Sequence, residues 1–136
     1  RNTELVTLSA CETGLGDIAI GHDVYGLTRV LHQTVVRSVV ASHWKVHDIA
    51  SQELMRRFYE NLWVKRQSTF DALRNAQLWI LTHPAELEAR GVEGARPRGK
   101  TRRRKPKSTD LTKPTNTTSQ TDPFFWAAFQ LSGDWR

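Results

Sequence analysis

Apolar residues fall along this chain in blocks whose period changes from block to block. Residues 5–11 (Leu5, Val6, Leu8, Ala10 and Cys11, broken by Thr7 and Ser9) make a nearly continuous apolar run of strand length. Gly14 and Gly16 follow, so the pattern predicts a buried strand and then a sharp loop over 12–23. Val24, Leu27, Leu31 and Val35 then recur at helical spacing. They predict a first helix that turns one apolar stripe to a sheet, with Asp23 as its cap. Residues 37–44 alternate little between apolar and polar, as in a strand covered on both faces. Strand, helix and strand in about 40 residues form a βαβ unit, whose crossover is right-handed and whose strands are parallel. Both carboxyl ends then share one rim, which would carry Cys11 and residues 43–48.

Two further helices follow. Leu54, Phe58 and Leu62 line up over 49–62, and Phe70, Leu73, Gln77 and Ile80 over 69–81, with Ser68 and Asp71 as a capping box. Neither contains glycine or proline. From 84 to 123 the periodicity fails, and Pro, Gly, Thr, Ser, Lys and Arg dominate. Such a segment buries too little surface to offset its ordering entropy, so it reads as a disordered insertion with a short helical start at 85–89. The aromatic block 124–133 predicts a closing strand. The expected class is α/β with a mostly parallel sheet.

Composition narrows the function classes. The 136 residues amount to one domain or part of one, and 38% hydrophobic content supports a modest core. No apolar run reaches the length of a membrane span, and no secretory signal pattern is visible. One cysteine forms no internal disulfide and no zinc site by itself. A cytoplasmic location is expected, with no membrane partner, metal or cofactor. The chain begins at Arg1 without an initiator Met, as a piece of a longer protein would. Its net charge of +6 is local: residues 96–107 hold eight of the 20 basic residues and no acid, which leaves 12 basic against 14 acidic elsewhere.

Several residues have chemistry to weigh. Cys11 is either an inert core thiol or a nucleophile at a strand tip. His43 and His47 fall near the same rim and His22 in the preceding loop, where each could serve as a base or simply pack. His32 and His83 read as packing histidines. Asp48 reads as the cap of the second helix. Residues 14–19 fit G-x-G-x-x-A, a dinucleotide fingerprint, but three residues separate the strand from the first glycine and the second strand ends without a ribose-binding acid. The basic run 96–107 suits nucleic acid by charge but lacks interleaved aromatics, so a solvated loop is the simpler reading.

Residues 8–14 (Leu-Ser-Ala-Cys-Glu-Thr-Gly) resemble the active-site segment of the CHAT domain, a caspase-like peptidase module. Residues 24–27, 38–48, 54–59, 72–77 and 125–133 resemble further blocks of that family in the same order. The resemblance implies a caspase-like three-layer α/β/α fold, incomplete at its amino end, and a Cys/His dyad with Cys11 as nucleophile. The family's histidine lies upstream of the cysteine strand, and no residue of this chain matches it. In relatives such as separases, the segment similar to 44–48 carries an acid that receives a basic side chain, which gives Trp44 and Asp48 a substrate-binding role. The resemblance also implies a protein or peptide substrate and an attached tetratricopeptide-repeat or other sensor region. The chain departs from the family at Thr34-Val35-Val36, where a glycine-containing step is usual, at His43 and His47, and in the basic insertion. A degenerate module that only mediates protein interactions is the alternative.

Overall fold

The computed structural model describes residues 3–9, 20–34, 36–95 and 120–135, with the backbone alone for 20–25. The described elements are β1 (Thr3–Leu8), α1 (Ile20–Gln33), β2 (Val36–Ser42), α2 (Asp48–Tyr59), a π-helical turn (Glu60–Val64), α3 (Thr69–Thr82), α4 (Pro84–Ala89), α5 (Pro123–Trp126) and β3 (Phe129–Gly133). The strands lie in the order β1-β2-β3. β1 runs parallel to β2, as a βαβ unit requires, with Leu5 beside Ser38 and Leu8 beside Ala41. β3 runs antiparallel to β2, with Phe129 beside Ser42 and Gly133 beside Ser38.

Among the described residues the sheet is therefore mixed, not mostly parallel, and the helical hairpin explains why. α2 leaves the rim where β2 ends, and α3 packs back along it. The Thr121 N–H donates to the Leu81 carbonyl at 2.8 Å, so the chain re-enters the sheet from the rim side. The next strand can only run away from that rim.

The α2–α3 hairpin covers the sheet face that carries Leu5, Val40 and Leu131. Leu54, Phe58, Ala72, Ala76 and Ile80 are fully buried there with Val40. Each large apolar side chain so buried contributes about 1.5–3 kcal/mol before entropy is counted. Adjacent residues of a strand point to opposite faces, so Val39 and its register partner Ser132 face the other way. There α1 meets the sheet, with His32 Nε2 at 2.9 Å from Ser132 Oγ. Gly133 ends β3 at φ +95°, and a Cβ at that position would collide with the Arg37 carbonyl oxygen.

Four boundaries differ from the sequence reading. α1 begins one turn early, at Ile20, so Asp23 is inside the helix and not its cap. α2 stops at Tyr59, and the backbone continues as a π turn in which the Lys65 N–H donates to Glu60 O at 3.1 Å. The buried Asn61 side chain anchors that turn by donating to Ala72 O at 3.2 Å. The segment 84–123 is not one loop: α4 and the turn after it place Leu87, Val92 and Ala95 in the core, fully buried. Finally, residues 123–126 are helical and the closing strand starts only at Phe129. Asp122 takes the N–H of Phe124 on its carboxylate at 2.9 Å and Pro123 stands at the first helical position, which together favour a helical turn over a strand.

Candidate active-site rim

The register of β1 and β2 brings three chain segments to one end of the sheet. Leu8 lies beside Ala41, so Ser9 and the segment after Ser42 leave from the same edge. β3 begins at that edge, where the His43 N–H donates to the Ala128 carbonyl at 2.9 Å. The carboxyl ends of parallel strands are where open α/β sheets place ligands. Cys11 lies outside the described residues, as do Gly14 and Gly16, Val35 and the basic run 96–107. Ser9 is the last described residue before the cysteine.

Trp44 and Asp48 both belong to this rim. The Trp44 indole is 36% exposed, and its Nε1–H donates to the Phe124 carbonyl at 3.2 Å. His47 is the cap residue of α2 and makes no side-chain capping bond. Asp48 is thus not the cap but the first residue of the helix, exposed to solvent. There its carboxylate meets the positive end of the helix dipole. The His47 ring meets Phe125 edge-on with centroids 5.6 Å apart. Its Nδ1 is buried and has no hydrogen-bond partner among the described residues. Among the histidines expected only to pack, His32 contacts Ser132, and His83 stacks on Trp79 at 4.4 Å.

The elements behind the rim are more polar than the sequence suggests. Gln77 Nε2, on α3, donates to the carbonyls of both Trp126 and Phe129, at 3.2 and 2.8 Å. Trp126 Nε1 donates to Thr121 O at 3.2 Å. One glutamine and one tryptophan therefore fix α5 from below. Gln77 is periodic with the apolar stripe of α3, and a polar residue on such a stripe is the sequence signal for a buried anchor.

A second polar cluster lies away from the rim. Glu53, only 3% exposed, accepts from Arg56 (3.1 and 2.8 Å), Arg57 (2.8 Å) and Arg90 (2.9 Å). Hydrogen bonding from Arg56 holds its carboxyl below the usual carboxylate range; burial opposes this, and the charges of Arg56, Arg57 and Arg90 add to it. The Arg57 guanidinium also sits over the Trp79 ring. This cluster ties α2 to α3 and to the turn after α4, and it brings no residue to the rim.

A cleft of about 760 Å³ opens beside β1, between Leu5 and Thr7 on the strand, Tyr59 at the end of α2, and Leu62 and Trp63 on the π turn. Neither Trp44 nor Asp48 lines it. Among the described residues no three His, Cys, Asp or Glu side chains are grouped as a metal site, and no helix is long and apolar enough to cross a membrane. No curated protein and no solved structure matches the chain. A family model does match, over residues 1–134, nearly its whole length. That family is the CHAT domain, and this chain belongs to it.

Proposed function

We propose that this chain is the carboxyl-terminal part of a CHAT-domain cysteine peptidase whose catalytic histidine stands on a segment outside it. The observation that carries the reading is the register of β1 and β2 within a family match over residues 1–134. It sends the strand that leads to Cys11 and the segment holding Trp44 and Asp48 out of the same edge of the sheet. The helices on both sheet faces are consistent with the caspase-like three-layer arrangement, incomplete at its amino end.

In this reading the Cys11 thiolate attacks a peptide carbonyl carbon. The tetrahedral oxyanion is held in part by the Cys11 backbone N–H. The external histidine takes the thiol proton and gives it to the departing amine. An acyl-enzyme remains, and water, deprotonated by the same histidine, releases the acid and restores the thiol. An unassisted thiol with a pKa of about 8.5 is only about 3% thiolate at pH 7, so this chain alone would not turn over substrate. Asp48 would receive the side chain before the cleaved bond and favour arginine or lysine there. An attached tetratricopeptide-repeat or sensor region would control access, in a cytoplasmic setting.

The test is a peptide library offered to the full-length protein. Cleavage after arginine or lysine is expected, abolished by Cys11→Ala and reduced at least tenfold in kcat/KM by Asp48→Asn. Unchanged turnover in Cys11→Ala would remove the peptidase reading. Cleavage without preference for basic residues would remove the role of Asp48 and leave that of Cys11.

A further inference from the structure

We propose that α5 is the positioning element of the substrate-binding rim, and that Phe125 and the Phe124 carbonyl hold Trp44 and the start of α2 in the geometry that receives a cationic side chain. This rests on the reading of Trp44 and Asp48 as a substrate-binding pair. It adds residues from the other end of the chain.

Three contacts of different kinds join α5 and the turn after it to the segment 43–47. The Ala128 carbonyl accepts from the His43 backbone at 2.9 Å. The Phe124 carbonyl accepts from the Trp44 indole at 3.2 Å. The Phe125 ring packs on the His47 ring at 5.6 Å. The first fixes where β2 ends, the second the azimuth of the indole, and the third the path into α2. The segment between Ser42 and Asp48 has no regular structure of its own, and these contacts help to set its shape.

α5 is only one turn long, and a single turn is unstable by itself. It is nonetheless tethered on every side. Asp122 caps it, Gln77 holds the carbonyls of Trp126 and Phe129, and Thr121 is tied to the carbonyls of Ile80 and Leu81. A connection that served only to lead into β3 would need none of these. Their effect is to transmit the rigidity of α3 to the rim. Because the indole N–H is spent on Phe124, Trp44 offers incoming groups its π surface instead. Such a surface attracts arginine, lysine or an aryl amidinium. The exposed Asp48 supplies the opposite charge.

The experiment uses the full-length protein labelled with 5-fluorotryptophan, with the Trp44 ¹⁹F signal assigned by Trp44→Phe and benzamidine as the cationic probe. Saturable movement of the Trp44 signal is expected, with Kd raised at least tenfold in Asp48→Asn. Phe125→Leu, which keeps apolar volume but removes the ring, should shift the free Trp44 signal and raise Kd about fivefold, measured well below the variant's melting midpoint because Phe125 also packs against the core. Phe125→Tyr should restore both, and Trp63→Phe should change neither. Wild-type affinity and an unmoved Trp44 signal in Phe125→Leu, with the loss in Asp48→Asn intact, would overturn the positioning role alone. Benzamidine that leaves Trp44 unmoved, or binds Asp48→Asn as tightly as wild type, would overturn the underlying receptor and this inference with it.

Discussion

On the sheet face that carries Val40 and Leu131, α2 and α3 leave Leu54, Phe58, Ala76 and Ile80 no measurable exposure. On the face that carries Val39 and Ser132, α1 leaves Leu27 48% and Val30 54% exposed. The first face adds a polar lock, Glu53 with three arginines, while the described side chains of α1 reach the sheet through contacts such as His32 with Ser132. Among the described side chains burial is therefore greater on the first face, and substitutions of equal size should have different consequences on the two.

The largest expected effect is on the closed face. Phe58→Ala should cost about 4 kcal/mol, because the cavity it leaves is walled by packed helices, whereas Val30→Ala on α1 should cost under about 1 kcal/mol. Urea titration of the two variants checks this, and equal losses would erase the asymmetry. Next comes the lock: Glu53→Gln removes the charge that three guanidiniums share, of which Arg56 keeps Glu60 as a partner, and should cost about 2 kcal/mol. Its pH signature has a fixed sign. The Glu53 carboxyl is held below its ordinary value in the folded state, so its contribution is complete above about pH 4.3, where the unfolded carboxyl also ionises. It is lost as pH falls through the lower folded value. Wild type should lose stability in that acid window more steeply than Glu53→Gln, and parallel curves would contradict the assignment.

Gly133→Ala comes third, at about 2 kcal/mol, because its positive φ disfavours a side chain and the new Cβ would displace the Arg37 carbonyl. Here thermal melting reads the loss, and a variant as stable as wild type would mean that this end of β3 yields easily. The smallest effect is expected where the fold is already closed. The Asp122 N–H donates to Ala95 O at 3.2 Å, so the residues flanking 96–119 meet without it. Replacing 96–119 by a short Gly/Ser linker should move the melting midpoint by no more than about 3 °C, since loop length enters stability only logarithmically. A large drop would show that the basic segment packs on the domain.

Much of this arrangement was legible in the residues. The apolar spacing of Leu54, Phe58, Leu73 and Ile80 gave the hairpin, the unalternating run 37–44 gave the central strand, and Ser68 with Asp71 gave the start of α3. The Asp71 N–H indeed donates to the Ser68 hydroxyl, at 3.1 Å. What escaped depended on partners distant in sequence. Leu87, Val92 and Ala95 look too sparse to make a core, and they are buried because α2 and α3 already offer one. The direction of β3 follows from where α3 delivers the chain, which no local pattern encodes. At the rim, the shared edge was legible, because a βαβ unit sends both of its strands out of one side. The clamp by Phe124 and Phe125 was not, because it joins residues about 80 apart, and the aromatic density of 124–129 reads locally as a strand.

The proposed function requires that Cys11 be a nucleophile whose activating base lies outside this chain. The pH dependence of Cys11 alkylation by iodoacetamide, compared between the full-length protein and residues 1–136 alone, tests it most directly. A titration well below the ordinary thiol value of about 8.5 is expected in the full-length protein, and one near that value in the isolated chain. Identical titrations in the two, at either position, would contradict it.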